Sequence, residues 1–241
     1  MKTADYKTIK YTNGIETVKQ GMANGISSHL RTDDEGNIIG LTKAEKQAVI
    51  EEAATHFGEF LTALGCDWEN DPNSNDTPMR VAKAYVNDLW EGRFNAPPKI
   101  TTFPSDGYDG MVVESFIPIS SMCSHHHQTI SGHCHVAYIP NSNGTVVGLS
   151  KLNRLVEYFS RRGSIQEQLT KGLHDAFVKI LDNPQGVGVV INATHNCVKC
   201  RGVKHTGASM QTAKLSGYFK EDVAAREEFY HHINNAKSLR S

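Results

Sequence analysis

The sequence has no long apolar run and no excess of either charge, and its number of cysteines is odd. No stretch approaches the roughly 18–20 apolar residues that cross a bilayer, and the first residues lack the apolar segment of a secretory signal. The 25 basic and 26 acidic side chains nearly cancel, so no overall field draws the chain to nucleic acid or to anionic membranes. The five cysteines, two of them in a Cys-x-x-Cys, favour a reducing, cytoplasmic compartment over a secreted disulfide framework.

Three regions are predicted from the distribution of apolar residues. Residues 1–41 are polar and interrupted by glycine, which predicts a loosely ordered N-terminal arm. Residues 42–98 form an N-terminal helical region. Its first helix begins at a capping box, Thr42 with Glu45. Residues 99–241 are the predicted catalytic region.

Further signals mark the ends of the predicted elements. The first helix ends at Gly65, and a second runs from an N-cap at Thr77 to about Trp90. Ser131 and Gly132 are predicted to form a turn. Four segments rich in β-branched and aromatic residues are predicted strands: residues 111–119, 128–139, 186–193 and 208–219. Two amphipathic helices lie between the strand pairs, so we predict an α+β fold with two helices on one face of an antiparallel sheet.

Sulfur and imidazole recur in two short segments of the chain. Cys123 and His126 form a Cys-x-x-His unit that can bind one ion from a single turn, and Cys197 would complete three protein ligands. Three ligands with a fourth position left for water are typical of hydrolytic zinc sites. His125 and His195 are then imidazoles that need not be ligands.

A structural zinc site is the alternative. Cys197 and Cys200 form a Cys-x-x-Cys, and spacing alone favours a site with four protein ligands. If residues 189–201 form an extended strand, the two sulfurs point to opposite faces, which favours the open site; a tight knuckle would reverse this. His133 and His135 are further possible ligands, although strand histidines are more often half-buried or exposed without a metal.

A second group of residues is cationic. Ser150, Lys151 and Arg154 lie around a predicted helix N-terminus, whose free N–H groups and dipole favour anions, and Ser150 is predicted to cap that helix. Exposed Lys and Arg on amphipathic helices are usually only solvated, so each pair alone is weak evidence. Together, five cations would suffice for a triphosphate: Lys151, Arg154, Arg80, Lys83 and Arg201.

The third feature is the pair Gln166 and Glu167. A carboxylate can accept two parallel hydrogen bonds from the N–H and amino edge of a guanine. Ser164 and Glu167 also have the spacing of a capping box. From spacing alone, a helix cap is the favoured role for Glu167.

The order and spacing of these motifs resemble the GTP cyclohydrolase I family. The resemblance runs from about residue 42 to residue 232 and is carried by five segments: residues 76–83, 121–126, 148–154, 165–170 and 193–202. It implies the tunnelling fold, in which strand pairs and helices of several subunits form a barrel. It also implies a toroidal homo-oligomer, commonly a decamer, with active sites at subunit interfaces.

The resemblance implies that the chain converts GTP and water to formate and 7,8-dihydroneopterin triphosphate. Zn²⁺ would be held by Cys123, His126 and Cys197, with Cys200 outside the site. His125 and His195 would transfer protons beside the metal.

The substrate contacts are implied in the same way. Glu167, supported by Gln166, would bind the guanine edge, and Ser124 stands where the family usually has glutamate. The triphosphate would be bound by Ser150, Lys151, Arg154 and Arg201, with Arg80 and Lys83 supplied by a neighbouring subunit.

Three other functions are compatible with parts of the pattern. One is a catalytically weak protein of the same fold that binds a guanine nucleotide or pterin, with Ser124 as the sign of divergence. Another is a related enzyme of deazapurine metabolism that uses a cysteine nucleophile and NADPH, although the Cys-x-x-His and the cations argue against it. The last is a structural protein with a four-coordinate zinc and no affinity for nucleotides.

Overall fold

The computed structural model describes residues 21–23, 26–28, 31–32 and 38–237. The chain divides into two compact units, residues 1–96 and 97–241. Most of the predicted arm, residues 1–41, lies outside the described residues. Its described parts are short strands that pair antiparallel: β1 (Gly21–Ala23) with β2 (Ile26–Ser28), and β3 (Arg31–Thr32) with β4 (Ile38–Ile39). Within the described part of the chain, no helix is long and apolar enough to cross a membrane.

Helix α1 (Lys43–Ala63) begins and ends where the sequence predicts. The Thr42 N–H donates to the Glu45 carboxylate at 2.7 Å, and the Glu45 N–H donates to Thr42 Oγ1 at 3.3 Å, so the capping box is confirmed. Gly65 follows the helix with a φ of 79°, the left-handed conformation that glycine adopts at helix C-termini.

The second predicted helix is three consecutive pieces: α2 (Thr77–Ala84), a π-helical turn (Tyr85–Leu89) and α3 (Glu91–Phe94). Asp76 is the N-cap of α2, so Thr77 is its first helical residue and not the predicted cap. Trp90 breaks the helix with a φ of −125°. These elements and α1 share a small apolar core formed by Ile50, Ala54, Ala82, Val86 and Phe94.

The second unit is built on an antiparallel sheet. Its strands are β5 (Thr102–Pro104), β6 (Val112–Met122), β7 (Thr129–Ile139), β8 (Thr145–Val147), β9 (Gly186–His195) and β10 (Met210–Gly217). Four of them form one sheet in the order β10-β9-β7-β6, and β5 pairs with β8. All four predicted strands are therefore present.

The helices of this unit are α4 (Leu149–Ser160), α5 (Gln166–Ile180), the single turn α6 (Asn196–Lys199), α7 (Tyr218–Glu221) and α8 (Val223–Asn235). α4 and α5 cover one face of the sheet, where Val136 and Tyr138 of β7 join the main core. On the opposite face Ala137 of β7 packs with Phe219 of α7 and Phe229 of α8. The alternation along β7 thus divides its side chains between two cores.

The predicted turn at Ser131 and Gly132 is wrong. Both residues lie inside β7, and the chain reverses between Cys123 and Gln128, where the Cys123 N–H donates to the Gln128 carbonyl at 2.8 Å. A Cβ on Gly132 would lie 2.0 Å from the carbonyl oxygen of Asn192. Glycine is therefore required at position 132 because two strands approach closely there, which is a common reason for glycine within a sheet.

Candidate metal and nucleotide site

Two cysteines and one histidine converge at one end of the four-stranded sheet. Cys123 follows β6, His195 is the last residue of β9, and Cys197 lies on α6. β6 and β9 are both antiparallel to β7, which lies between them, so their carboxyl ends are at the same edge of the sheet. The ligand atoms of the three residues all lie within 4.8 Å of one another.

This donor set fits Zn²⁺. Thiolate and imidazole are the ligands that zinc prefers in proteins. Burial raises the pKa of the Cys197 thiol, and the neighbouring Cys123 raises it further. A divalent cation would offset the repulsion between two thiolates and favour their deprotonated forms, so this pair is suited to binding a metal.

Some of the predicted zinc ligands and proton-transfer residues lie together in the structure, and others lie on an exposed turn. Cys123 and Cys197 belong to the group, together with His195. His126 lies on the exposed turn after Cys123 and is not one of the three residues. His125 lies on the same turn, with its Nδ1 at 3.8 Å from the Cys123 Sγ.

Cys200 lies outside the group. Its Sγ lies 2.8 Å from the Asn196 carbonyl oxygen and 3.4 Å from the Gln128 Oε1, two acceptors for its single S–H hydrogen. The parity argument required an extended strand through residues 189–201, and this condition is not met, because β9 ends at His195 and a helical turn follows. The separation of the two cysteines therefore depends on side-chain direction and hydrogen bonding and not on strand parity.

The two strand histidines considered as further ligands have other surroundings. His135 is 1% exposed, and its Nδ1 accepts a hydrogen bond from the Phe116 N–H at 3.3 Å. Burial lowers the pKa of His135 to about 4. The His133 ring packs edge-on against Phe116, with 5.5 Å between ring centroids. Neither histidine belongs to the metal-ligand group.

Gln166 and Glu167 begin α5 with opposite exposures. Gln166 is 0% exposed, whereas Glu167 faces solvent. Ile165 is the N-cap of α5 and no side chain caps the helix, so the predicted capping box of Ser164 and Glu167 is wrong. The carboxylate of Glu167 is therefore not used as a helix cap.

His195 is held against Gln166. Its Nε2 lies 2.7 Å from the Gln166 Oε1. Burial lowers the pKa of His195, and the negative charge of Glu167 partly opposes this shift. The neutral imidazole is thus favoured in the folded protein.

The predicted phosphate-binding residues lie at the surface. Ser150, Lys151 and Arg154 are in the first turns of α4, but Gly148 is its N-cap, so the predicted cap at Ser150 is wrong. Arg201 is exposed in the loop after α6. In the other unit, Lys83 is exposed on α2, and Arg80 forms an ion pair of 3.3 Å with Asp76.

Comparison with known proteins identifies the family. The model of GTP cyclohydrolase I matches residues 53–234. The chain belongs to the GTP cyclohydrolase I family. It is 40% identical over 192 residues to GTP cyclohydrolase 1 of Aliivibrio fischeri strain MJ11, which covers 79% of this chain and 85% of the relative.

Other members of the GTP cyclohydrolase I family match to a similar degree. The enzyme of Vibrio cholerae is 41% identical over 192 residues, covering 79% of this chain and 85% of the relative. That of Mycobacteroides abscessus is 41% identical over 175 residues, covering 70% and 82%. The solved structure of the archaeosine synthase QueF-Like in the apo form has a TM-score of 0.36 and 19% identity over 44% of this chain and 93% of its own. That score is too low to bear on fold or function.

Two further residues lie beside the site, and neither has a role predicted from the sequence. Thr170 and Thr212 lie behind Gln166, with their hydroxyl oxygens 2.6 Å apart. Thr170 is four residues after Gln166 on α5, a spacing visible in the sequence. Thr212 is opposite Ile191 in the β9–β10 ladder, and this register is known only from the sheet.

Proposed function

We propose that the chain converts GTP and water to formate and 7,8-dihydroneopterin triphosphate, with zinc as its cofactor. The group of Cys123, Cys197 and His195, in a member of the GTP cyclohydrolase I family, is the observation that carries the proposal. The reaction requires addition of water at C8 of the guanine, proton transfer as the imidazole ring opens, and a substrate held by its base and its phosphates. Residues with the appropriate chemistry exist for each requirement.

The proposed zinc ligands are Cys123, His126 and Cys197. The two cysteines already meet, and His126 lies three residues after Cys123 on an exposed turn, a spacing at which both side chains can reach one ion. A bound zinc ion would supply the Lewis acidity that activates water near neutral pH. The hydrogen bonds of Cys200 direct its sulfur elsewhere, which supports a site with an open position.

His195 and His125 are the proposed proton-transfer residues. Burial lowers the pKa of His195, so its imidazole is neutral near pH 7 and can accept a proton. His125 lies beside Cys123 on the exposed turn. Both imidazoles are therefore adjacent to the proposed metal without being required as its ligands.

Glu167 is the proposed guanine-binding residue, and Gln166 supports it. The Glu167 carboxylate is solvent-facing in the first turn of α5 and does not cap the helix. An ionised carboxylate accepts two hydrogen bonds from the N1–H and the 2-amino group of guanine. Gln166, beside it, hydrogen-bonds to the Ile191 and Met210 carbonyls, the Thr212 hydroxyl and the His195 ring.

The triphosphate is proposed to bind at the start of α4. Ser150, Lys151 and Arg154 lie in the first turns of this 12-residue helix, where the backbone N–H groups and the dipole favour anions. Arg201 follows α6 and adds a further cation. Arg80 and Lys83 are proposed to reach the phosphates from a neighbouring subunit.

We also propose that the subunits assemble as a toroidal homo-oligomer with the tunnelling fold, a decamer as is common in the family, with active sites at subunit interfaces. In this assembly residues 42–98 are the N-terminal helical region and residues 99–241 the catalytic region. β6 and β10 are the outer strands of the sheet and are suited to pairing with further strands. The free thiols of all five cysteines support the proposed cytoplasmic location.

Incubation with GTP tests the proposal. We expect zinc-loaded protein to release one formate per GTP and to form a pterin that becomes fluorescent after oxidation. Removal of zinc with a chelator should stop both, and added zinc should restore them. Tight binding of GTP without formate over hours would contradict the proposal and favour a nucleotide-binding protein of the same fold.

A further inference from the structure

The orientation of the Gln166 side chain is determined by its partners. Its Nε2 lies 3.1 Å from the Ile191 carbonyl and 3.1 Å from the Met210 carbonyl. Carbonyl oxygens only accept hydrogen bonds, so the group that faces them must be the NH₂. A flipped amide would place an oxygen against two oxygens, and the amide orientation therefore follows from chemistry alone.

The hydroxyl groups behind Gln166 are ordered by the same argument. The Thr170 hydroxyl donates to the Gln166 backbone carbonyl at 2.8 Å. It must then accept from the Thr212 hydroxyl, 2.6 Å away. The Thr212 oxygen in turn accepts from the Gln166 Nε2 at 3.0 Å. The two hydrogens of the Gln166 amide are thus shared among three acceptors, the two carbonyls and the Thr212 oxygen, while each hydroxyl has one assigned donor role.

The remaining atom, the Gln166 Oε1, faces His195. An amide oxygen can only accept, so the Nε2 of His195, 2.7 Å away, must carry the proton of the neutral imidazole. The lone pair is then on Nδ1. We propose that Gln166 is a positioning residue that holds His195 as its Nε2–H tautomer, so that His195 exchanges protons with the substrate only through Nδ1. This inference rests on the proposed function and assigns Gln166 a role separate from guanine binding.

The burial of Gln166 favours this role over a substrate contact. The side chain is 0% exposed, and its amide donors and its oxygen are directed at the two carbonyls, the Thr212 hydroxyl and His195. A nucleotide could reach it only by displacing these bonds. Glu167 is the adjacent residue with an exposed carboxylate, so the two residues divide positioning and recognition between them.

Gln166→Met tests the role kinetically. Methionine has a similar length and cannot accept from His195 or donate to the carbonyls. We expect kcat to fall about 100-fold, within the range for loss of an oriented proton-transfer group, with the KM for GTP changed less than about threefold and zinc retained. A raised KM at unchanged kcat would overturn the proposal, because it would indicate a direct substrate contact.

Gln185→Met is the matched control. Gln185 donates to the Pro140 carbonyl at 2.9 Å and immediately precedes the other end of β9, so this substitution removes a comparable glutamine–carbonyl bond far from His195. We expect kcat to remain within about twofold of the unsubstituted protein. A loss equal to that of Gln166→Met would show that both variants act through general destabilisation and would overturn the positioning role.

A double-substitution cycle isolates the path through His195. In a His195→Asn background, Gln166→Met should lower single-turnover formate release by less than about threefold, because its effect requires the imidazole. Independent, multiplicative losses would overturn the proposal.

Nitrogen NMR of the unsubstituted protein requires no Gln166 variant. With ¹⁵N-labelled histidine, the signal lost in His195→Asn should have its proton on Nε2, and a proton on Nδ1 would overturn the proposal. If the unsubstituted protein releases no formate from GTP, the proposed function fails, whereas the tautomer measurement still tests the geometry.

Discussion

Six of the ten histidines of the second unit lie in two regions that differ in burial and bonding. Three in or against the sheet have assigned hydrogen-bond partners and pKa values that burial lowers: His135, His174 and His195. Three on the turn between β6 and β7 are exposed: His125, His126 and His127. The imidazoles of the sheet region are hydrogen-bonded within the chain, whereas those of the turn are exposed to solvent.

Among the three histidines in or against the sheet, two have structural partners only, and one also lies beside the cysteines. His135 accepts from a backbone N–H, and the His174 Nε2 lies 2.9 Å from the Ser216 hydroxyl, so these two imidazoles hold elements together. His195 has the same kind of support from Gln166 but lies beside Cys123 and Cys197. Of these three imidazoles, only His195 combines such support with a position beside the cysteines that could hold a metal.

The largest effect is expected at Cys197, whose thiol lies close to both Cys123 and His195. Cys197→Ala should remove bound zinc and lower formate release at least about 1,000-fold, because the ion would lose one of three protein ligands. Cys200→Ser is the matched control on the same turn and should retain zinc and activity. Metal analysis and formate assay of both proteins measure this. Loss of zinc in Cys200→Ser would instead support a closed, structural site.

The two regions are contrasted directly by His126→Ala and His195→Ala. We expect His126→Ala to lose zinc, since the turn supplies the proposed third ligand. His195→Ala should retain zinc and lose turnover by about 100-fold or more, since it removes a proton-transfer group. Zinc content by atomic spectroscopy, paired with single-turnover formate release, distinguishes them. The reverse pattern would make His195 the ligand, as its position within 4.8 Å of both sulfurs allows.

A smaller effect is expected at the exposed end of α5. Glu167→Gln should raise the KM for GTP about 10- to 100-fold, because the glutamine amide can accept only one of the two hydrogen bonds and its NH₂ would face a guanine donor. A hydrogen bond to a charged group contributes about 1.5–3 kcal/mol. The unsubstituted protein should prefer GTP over ITP, which lacks the 2-amino group, and the variant should lose much of this preference. An unchanged GTP-to-ITP ratio would place guanine recognition elsewhere.

The smallest effect is the change in the free energy of unfolding with pH that is due to the buried His135. The pKa of His135 is about 4, below its ordinary 6.5, so between these values the unfolded chain binds a proton and the folded chain does not. Stability should therefore fall as the pH is lowered from 6.5 to 4, by at most about 3 kcal/mol for this residue, and be unaffected above. Urea unfolding at pH 7 and pH 5 measures the loss.

His135→Phe is the matching variant for the pH experiment. It removes the titrating group while keeping an aromatic ring in the sheet, so the decrease in stability between pH 7 and pH 5 should be smaller than in the unsubstituted chain. Equal decreases in the two proteins would assign the acid sensitivity to other groups, such as His174, whose pKa burial also lowers.

Local signals in the sequence predict much of the fold. The capping box at Thr42 and the left-handed glycine at position 65 are confirmed because both are set by contacts between near neighbours. The predictions for Ser131, Ser150 and Ser164 are wrong because serine and glycine satisfy turn and cap patterns at many positions where neighbouring strands impose another structure. Gly132 is required by Asn192, sixty residues further along the chain, and no local pattern contains that contact.

For this protein the sequence by itself determined the family, the α+β arrangement, and the sulfur and imidazole ligands from which a metal site can be built. Only the tertiary structure decided that His195 lies beside Cys123 and Cys197, that the Glu167 side chain does not cap α5, and that the Gln166 amide oxygen faces His195. The reason is physical. Residue types and short spacings are local properties, whereas the partner of a side chain depends on strand register and helix packing that join distant parts of the chain.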